Sequence, residues 1–421
     1  MRSILLSLFV IGLSAGVTTA QTGPESQSPV LTLLEARQMA EKVSPEIAAA
    51  RAALRAADGR VRQAGAFPNP VASYGREQTS GVGARNAQDI IAFEQRLDIG
   101  GQRGARRAAA EAFRAAAEAR LSGTRAQIAF EVARAYGAAI AADRRAALTT
   151  EAAGIFTEAG RIGRERLAAG DVSGYEHRRI RLEAARYAAL EAEARMTRGK
   201  TRRALTTLLS APDHTVPPDS FVFSDTLIPG PLAVGADSLV SLALNRRPEL
   251  MALQSEAGAA VAESRLVRAE RIPSPALGGG YKRERSPGGT SLDGFVAQIS
   301  LPLPLWDRRG GAVQAADAEA ERRQADTETL RRRTEREVRD AYESSQALAI
   351  QLQALGTRLS QDGRAGLRAA QAAYREGETS LVEWLDAVRA YQEAEATHLA
   401  LRAEHIERRA ELERLTGATL F

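Results

Sequence analysis

The sequence predicts a mixed α and β protein that is mainly α-helical and is built from two copies of one unit. Ala, Arg and Glu dominate the 421 residues, a composition typical of long helices. Landmarks of the first half return in the same order roughly 205 residues later, which indicates an internal two-fold repeat. Each copy also holds two short segments in which apolar and polar residues alternate, as they do in β-strands.

Composition excludes several classes of function. The chain has no Cys, which excludes disulfides, thiolate metal sites, cysteine nucleophiles and a thioether-linked lipid anchor. The formal net charge of +5 is small for this length, and interleaved Arg and Glu favour a solvated helix surface over a nucleic-acid-binding one. The four His residues lack zinc-ligand spacing, and no nucleophile has an identifiable base. We therefore expect no catalytic residue, cofactor, bound metal or nucleic-acid partner.

Residues 1–20 have the pattern of a cleavable secretory signal. Arg2 precedes an apolar run from Ile4 to Val17, and Thr18-Thr19-Ala20 follows as the cleavage motif. The alternative, an N-terminal membrane anchor, is disfavoured because the run is shorter than the ~20 residues that a spanning helix needs. We expect cleavage before Gln21 and export of the mature chain.

The repeat divides the remaining chain into three parts. Residues 21–210 form the first copy, 211–236 an irregular Pro-rich connector, and 237–421 the second copy. The corresponding landmarks are Ser44-Pro45-Glu46 with Arg247-Pro248-Glu249, Phe67-Pro68-Asn69-Pro70 with Ile272-Pro273-Ser274-Pro275, Arg103-Gly104 with Arg309-Gly310, and Gly170-Asp171 with Gly377-Glu378.

Each copy is expected to begin with short helices and a strand pair. Thr32 and Glu35 form a capping box, and Ser44 caps a second helix that ends near Ala66. Val71–Gln78 and Ile90–Ile99 then alternate in hydrophobicity over about the 9 to 11 residues of a tilted membrane strand. The side chains on the apolar faces are predicted to contact lipid, with Glu94 and Gln298 on the opposite faces; they are Phe93, Leu97, Phe295 and Ile299.

A very long helix is predicted from Arg103 to about Ala169. No Pro interrupts it, and small or apolar residues recur in steps of three and four, as in a coiled coil. The second copy has the same rhythm. Gly170 and Gly377 end these helices, and Ser380 begins a further helix that reaches about Leu415. Such a rod is too slender for a compact enzyme domain.

In this order, these features resemble the TolC-like outer-membrane efflux family, and most of all its CzcC-type heavy-metal efflux branch. The resemblance covers roughly residues 31–417, and its marks are Phe67-Pro68-Asn69-Pro70, Leu301-Pro302-Leu303-Pro304-Leu305 and Tyr374-Arg375-Glu376-Gly377. It implies a homotrimer in which each protomer gives four strands to one twelve-stranded outer-membrane β-barrel and its helices to a periplasmic α-barrel. It also implies docking on a periplasmic adaptor (membrane fusion) protein and an inner-membrane pump of the resistance-nodulation-division type.

The resemblance also implies roles for residues at the tip of the long helices. Glu383, Asp386 and Tyr374 match the pore constriction, whereas the two turns match the contacts to the adaptor; the turn residues are Gly170, Asp171, Gly377 and Glu378. Thr379 stands where the family has a basic residue, which puts the closed-state salt link in doubt. The residues alone fit a solvated helix face equally well.

The function implied is a passive exit duct in the outer membrane, extending into the periplasm, with heavy-metal cations as cargo. Two alternatives stay open at this point. One is a duct for drug efflux or type I protein secretion, and the other is a periplasmic coiled-coil structural protein without a channel.

Overall fold

The computed structural model describes residues 29–81, 84–211, 215–224, 230, 232–286 and 288–420. The predicted signal peptide lies outside them. Helices dominate these residues and a few strands are present, which confirms the mixed, mainly helical class. The first part of the chain contains β1 (Val30–Leu31), α1 (Leu33–Val43), α2 (Pro45–Ala64), β2 (Val71–Gly81), β3 (Ala84–Arg96), α3 (Gln102–Ala169), α4 (Gly174–Leu209) and β4 (Val222–Phe223). The second part contains α5 (Ala236–Arg246), α6 (Pro248–Ala269), β5 (Ala276–Arg285), β6 (Ser291–Ser300), α7 (Gly310–Arg358), a π-helical segment (Leu359–Gly363), α8 (Arg364–Glu376) and α9 (Leu381–Thr416).

Capping side chains fix where several helices begin. Thr32 and Glu35 form the capping box of α1, and the Ser44 hydroxyl accepts the Ile47 N–H at the start of α2. Ser173 and Ser380 cap α4 and α9 in the same way. The helices after the two turns, α4 and α9, therefore start with equivalent hydrogen bonds, whereas α5 and α6 begin without a side-chain cap.

The long helices form one layer in which α3 is central. α3 packs against α2, α4, α6 and α9, and α7 packs against α6 and α9. Toward the tip, where α3 and α8 end, the order across the layer is α4, α3, α9 and then α7–α8. Buried clusters around Tyr136, Trp384 and Leu412 hold the layer together, and the cluster around Trp384 is the one toward the tip. Among the described residues, no helix is both long enough and apolar enough to cross a membrane.

The four longer strands form one antiparallel sheet in the order β2-β3-β5-β6. Val71 pairs with Glu94 in the first hairpin, and Ala276 pairs with Ser300 in the second. The hairpins join through β3 and β5, where Phe93 lies opposite Gly279. β2 and β6 are thus the edges of the sheet, and each has one side without a hydrogen-bonded neighbour in this chain.

Several elements differ from the sequence expectation. β2 extends past Gln78 to Gly81, and β3 begins at Ala84 rather than at Ile90. β3 stops at Arg96, so Leu97, predicted as a strand residue, lies just beyond it. Leu97 is half-buried and its N–H donates to the Pro275 carbonyl at 2.8 Å, because the chain turns there against the linker before β5. The second long helix is interrupted by the π-helical segment, whereas α3 is continuous. Gly363 ends this segment, and a Cβ there would lie 3.3 Å from the Tyr391 ring, so glycine lets the two helices pack closely at the break.

Candidate functional site: the helical tip and the open edges

An aromatic stack fills the inside of the tip. The rings of Tyr374 and Trp384 are parallel, with centroids 4.8 Å apart, and Phe156 contacts both Trp384 and Tyr187. The Tyr374 hydroxyl donates to Glu176 at 3.4 Å, and burial raises the pKa of this tyrosine. Tyr374, implied by the resemblance to be a constriction residue, is therefore buried between helices of its own protomer.

The two acidic residues of the expected constriction have different surroundings. The Glu383 carboxylate accepts hydrogen bonds from the Ser380 N–H at 2.8 Å and the Ser380 hydroxyl at 3.0 Å, which completes the capping box of α9. The backbone hydrogen bond from Ser380 lowers the pKa of Glu383, so its carboxylate is charged. The Asp386 side chain is 66% exposed, and its nearest cation is Arg389 at 3.8 Å. Only Asp386 is thus free to project away from the helix surface.

At the tip, an ion pair that the sequence analysis did not predict connects the first copy of the repeat to the second. Arg389 of α9 donates to Glu183 of α4, and the Glu183 side chain is almost fully buried. Arg186 lies 3.6 Å from the same carboxylate. No local pattern marks this pair because its partners are 206 residues apart.

The two turns at the tip share one geometry. Gly170 and Gly377 have φ values of 83° and 81°, the left-handed conformation that glycine adopts at little cost. The N–H groups of Asp171 and Glu378 reach back to the last helical turn, each over 2.9 Å. Both acidic side chains are exposed beyond the turns. They are accessible to a partner that approaches along the helix axes.

The sheet has one apolar face and one polar face. Phe93, Phe295 and Ile299 lie on the same face and are exposed, Phe295 by 88%. On the other face Gln298 donates to Glu94 at 2.8 Å, and the side chain can cross β5 because Gly278 lies between them. This separation of faces matches the alternation in the sequence.

A charged row crosses the outer part of the apolar face. Arg76, Asp89, Arg283 and Asp293 lie opposite one another in successive strands, so positive and negative groups alternate. The hydroxyl groups of Tyr74 and Tyr281 donate to Asp89 and Asp293, respectively. The apolar face therefore ends at a row of tyrosines and charges.

The helical layer ends in two margins with unpaired coiled-coil faces. Along α4, exposed residues recur every seven positions; they are Tyr175, Leu182, Ala189 and Met196. Along α7 and α8, exposed and mostly small or apolar residues recur in steps of three and four; they are Ala347, Ile350, Ala354, Thr357, Gln361, Ala365, Arg368 and Ala372. Within the described ranges, these faces and the edges of the sheet are open to a partner.

In the part of the chain that the structure describes, no three His, Asp or Glu side chains form a group that could hold a metal ion. His405 is 1% exposed, and burial lowers its pKa to about 4. It acts there as a neutral side chain of the helical core.

The sequence of this chain matches a known protein family and a characterised relative. Residues 36–211 and 239–418 match the family described as outer membrane efflux protein. The cobalt-zinc-cadmium resistance protein CzcC of Cupriavidus metallidurans is 25% identical over 405 residues, which cover 96% of this chain and 94% of CzcC.

Solved structures share the fold. The outer-membrane channel OprN superimposes with a TM-score of 0.76 at 21% identity and covers 91% of this chain and 89% of its own. The Campylobacter jejuni CmeC outer membrane channel gives 0.75 at 16% identity, with 98% and 94% covered.

Proposed function

Because this chain belongs to the outer membrane efflux protein family, we propose that it is the exit duct of a tripartite efflux system. Three copies form one passive channel, through which an inner-membrane pump expels its cargo. The observation that carries the proposal is that sheet and helical layer both end in open edges on the same two sides of the protomer. In the ring, the side of one copy that carries β6 and α7–α8 meets the side of the next copy that carries β2 and α4. The ring closes after three copies.

The helical margins are suited to each other. α4 begins at the tip whereas α8 ends there, so α4 of one copy runs antiparallel to α7–α8 of the next. Large side chains on the first margin, such as Leu182 and Met196, face a margin rich in alanine. Knobs of one helix can thus enter holes of the other.

The strands of three copies close a twelve-stranded barrel in the outer membrane. Phe93, Phe295 and Ile299 face lipid, and Leu97 lies at the end of the same apolar face. Glu94 and Gln298 face a polar lumen. Closure also removes the unpaired edges of β2 and β6, which lipid does not tolerate.

The tip points into the periplasm, away from the strands. The exposed turns, at Gly170-Asp171 and Gly377-Glu378, contact a periplasmic adaptor, which connects the duct to a pump of the resistance-nodulation-division type. Asp386 and Glu383 form an acidic ring at the constriction, and Tyr374 holds α8 and α9 together behind it through its stack on Trp384.

The cargo is a heavy-metal cation. Support comes from the similarity to the cobalt-zinc-cadmium resistance protein over nearly the whole chain. The duct needs no metal site for this role, because a passive channel only has to let a cation pass.

The channel itself is tested with the full-length protein in detergent. Light scattering should give the mass of three copies, and planar bilayers should show discrete ion-conducting steps. Leu182→Glu should prevent assembly by placing a charge in the α4 margin, whereas Arg181→Glu, one residue off that margin, should assemble. A monomer without conductance would contradict the proposal.

The cargo is tested in a host that keeps the cognate pump and adaptor but lacks its own copy of this channel. Restoring the chain should raise tolerance to Co²⁺, Zn²⁺ and Cd²⁺ and leave tolerance to organic antibiotics unchanged. Tolerance to antibiotics alone would assign the duct to drug efflux instead.

A further inference from the structure

We infer that Arg85 and Arg285 form a binding site for the phosphate group of a membrane glycolipid, at the end of the sheet farthest from the helices. The partner is a lipid of the outer leaflet whose sugar headgroup carries a phosphomonoester. The inference rests on the proposed channel, which places this end of the sheet at the cell surface. It goes beyond the channel by assigning a class of lipid and the two side chains that hold it.

Both arginines lie on the apolar face of the sheet, beyond its charged row. Arg285 pairs with Ala87 of β3, and Arg85 is two residues further along the same strand, so it shares a face with Ala87. Diagonal neighbours on one face of an antiparallel pair have Cα atoms ~7 to 8 Å apart. The two long side chains can therefore reach one ligand group together.

The charged row itself is balanced. Arg283 donates to Asp293 at 3.0 Å, and Arg76 lies 3.8 Å from Asp89. Each arginine of the row thus has a carboxylate beside it. The row contributes little net charge to the face.

Arg85 and Arg285 differ from the arginines of the row. Both are exposed, and neither forms an ion pair with another of the residues that the structure describes. The carboxylate next to Arg285 in the sequence, Glu284, lies on the opposite face, where Lys282 is 3.3 Å away. Two uncompensated positive charges per protomer are therefore exposed at the end of a face that is otherwise apolar.

The length of the strand places these charges at the membrane surface. Leu97, at the other end of the same face, is 12 positions from Arg85. With a rise of ~3.4 Å per residue and a strand tilt of ~40°, these positions span about 31 Å along the membrane normal. The apolar band of a membrane barrel is ~25 Å tall, so the two guanidinium groups lie just beyond it, at the level of the headgroups.

The neighbouring side chains suit a phosphorylated sugar. Ser80 lies opposite Arg85, and Ser291 lies opposite Arg285, both on the same face as the arginines. Their hydroxyl groups can hydrogen-bond to sugar hydroxyls or to phosphate oxygens. Neither carries a negative charge that would repel the phosphate.

The pair of guanidinium groups favours a phosphomonoester over a phosphodiester. A phosphomonoester carries about two negative charges at neutral pH and has three terminal oxygens. A phosphodiester carries a single charge on two terminal oxygens. Because Arg binds phosphate through a planar fork of N–H groups, two arginines can engage all the oxygens of a monoester.

The apolar side chains on the same face explain why the ligand is a lipid rather than a free sugar phosphate. Ile91 and Phe295 are exposed between the charged row and the helices. Acyl chains of a lipid whose headgroup is held by Arg85 and Arg285 would cover them, which removes apolar surface from water. A free sugar phosphate has no part that reaches these side chains.

The site is tested by titrating the full-length protein in detergent with diphosphoryl lipid A, a glycolipid with two phosphomonoesters, and counting bound lipid by native mass spectrometry. The parent should bind it. Arg85→Gln combined with Arg285→Gln should weaken binding about thirtyfold, because two charges near the headgroup are lost.

Arg96→Gln combined with Lys282→Gln is the matched control. This variant loses the same charge from the same two strands, β3 and β5, but on the polar face of the sheet. It should bind lipid A as the parent does. Equal losses in both variants, or no loss in either, would overturn the site.

Two further ligands test the chemistry of the headgroup. Phosphatidylglycerol, a phosphodiester, should bind the parent more weakly than lipid A does, and equally tight binding would overturn the phosphomonoester. Excess inorganic phosphate should leave lipid A bound. Complete displacement by phosphate would overturn the assignment to a lipid.

The same mass spectra separate this site from the channel, because Arg85 and Arg285 belong to one chain. A trimer that does not bind lipid A would overturn the site and leave the channel standing. A monomer that binds lipid A through these arginines would retain the site and overturn the proposed function.

Discussion

At the scale of single residues, His405 makes the helical core sensitive to acid. It is buried, and Nε2 has no hydrogen-bond partner among the described residues. Burial, and then the charge of Arg409, lower its pKa from 6.5 to about 4. Protonation therefore favours the unfolded chain: stability is full above pH 6.5, falls as the pH drops toward 4, and changes no further below. We expect a loss of about 2 kcal/mol at pH 5 from this residue.

Removing the imidazole isolates this effect. His405→Leu and His405→Gln should each show a smaller drop in thermal midpoint between pH 7.5 and pH 5 than the parent protein does. Differential scanning fluorimetry in detergent at both pH values measures it. Equal drops in the parent and in both variants would assign the acid sensitivity to other groups.

Arg389 is the residue whose loss should loosen the tip. Without its guanidinium the buried Glu183 carboxylate keeps only the more distant Arg186, which costs about 1 to 3 kcal/mol. In Arg389→Gln, amide hydrogen exchange should accelerate in the first turns of α4 and α9. Arg331→Gln, at an exposed position of α7 outside the α7–α8 margin, is the control and should leave both segments unchanged. Unaltered exchange in Arg389→Gln would mean that aromatic packing alone holds the tip.

At the scale of elements, the two faces of the strands should respond differently to the same side chain. If Phe93 and Ile299 face lipid as proposed, Arg at either position should cost about 2 to 4 kcal/mol near the centre of the bilayer and less toward its surface. Arg at Glu94 or Gln298 would face the proposed polar lumen and should be tolerated. The amount of trimer extracted from membranes measures the difference. Equal losses from both faces would show that the faces are assigned wrongly.

The elements also show how far sequence alone could predict this fold. Helix starts at Thr32, Ser44 and Ser380 were predictable because their capping hydrogen bonds are local. The end of β3 was not, since Leu97 and Ile99 continue the alternation after the ladder has stopped.

Features that depend on contacts between residues far apart in the sequence could not be predicted from it. The break at Leu359–Gly363 occurs where Tyr391 of another helix packs on Gly363, and the heptad rhythm passes through it. The pair of Glu183 and Arg389 joins helices from different copies of the repeat. The tip residues matched the family pattern, but only the geometry separates the capping role of Glu383 from the exposed position of Asp386.

At the scale of the whole molecule, one repeat serves two purposes. Within the chain it joins β3 to β5 and α3 to α9. In the proposed trimer the same unit would offer β6 to β2 and α7–α8 to α4 of the next copy. A chain that contains the unit twice can build a ring from half as many separate chains as one that contains it once. Closure then depends on a single type of seam, so one substitution in that seam acts three times in each channel.

The proposed trimer also gives the acidic residues of the tip a role in ion selectivity. In the proposed trimer, three-fold symmetry would bring six carboxylates, from Glu383 and Asp386, toward one axis, where low-dielectric walls would focus their field and salt would screen it poorly. Such a ring should select cations and attract divalent blockers. Because Glu383 also caps α9, the suitable changes are Glu383→Gln, which retains hydrogen-bonding capacity for the cap, and Asp386→Asn.

The double variant should assemble as a trimer, lose most of its cation preference and bind divalent blockers more weakly. Reversal potential under a salt gradient, recorded beside the parent, measures the first effect, and titration with Co²⁺ measures the second. Asp386→Asn alone should account for most of the change, since its carboxylate is exposed whereas that of Glu383 is held by Ser380. Glu165→Gln, an ion-paired residue on α3, should behave like the parent. If the double variant keeps the parent's reversal potential, Glu383 and Asp386 belong to an ordinary solvated helix face and the constriction lies elsewhere.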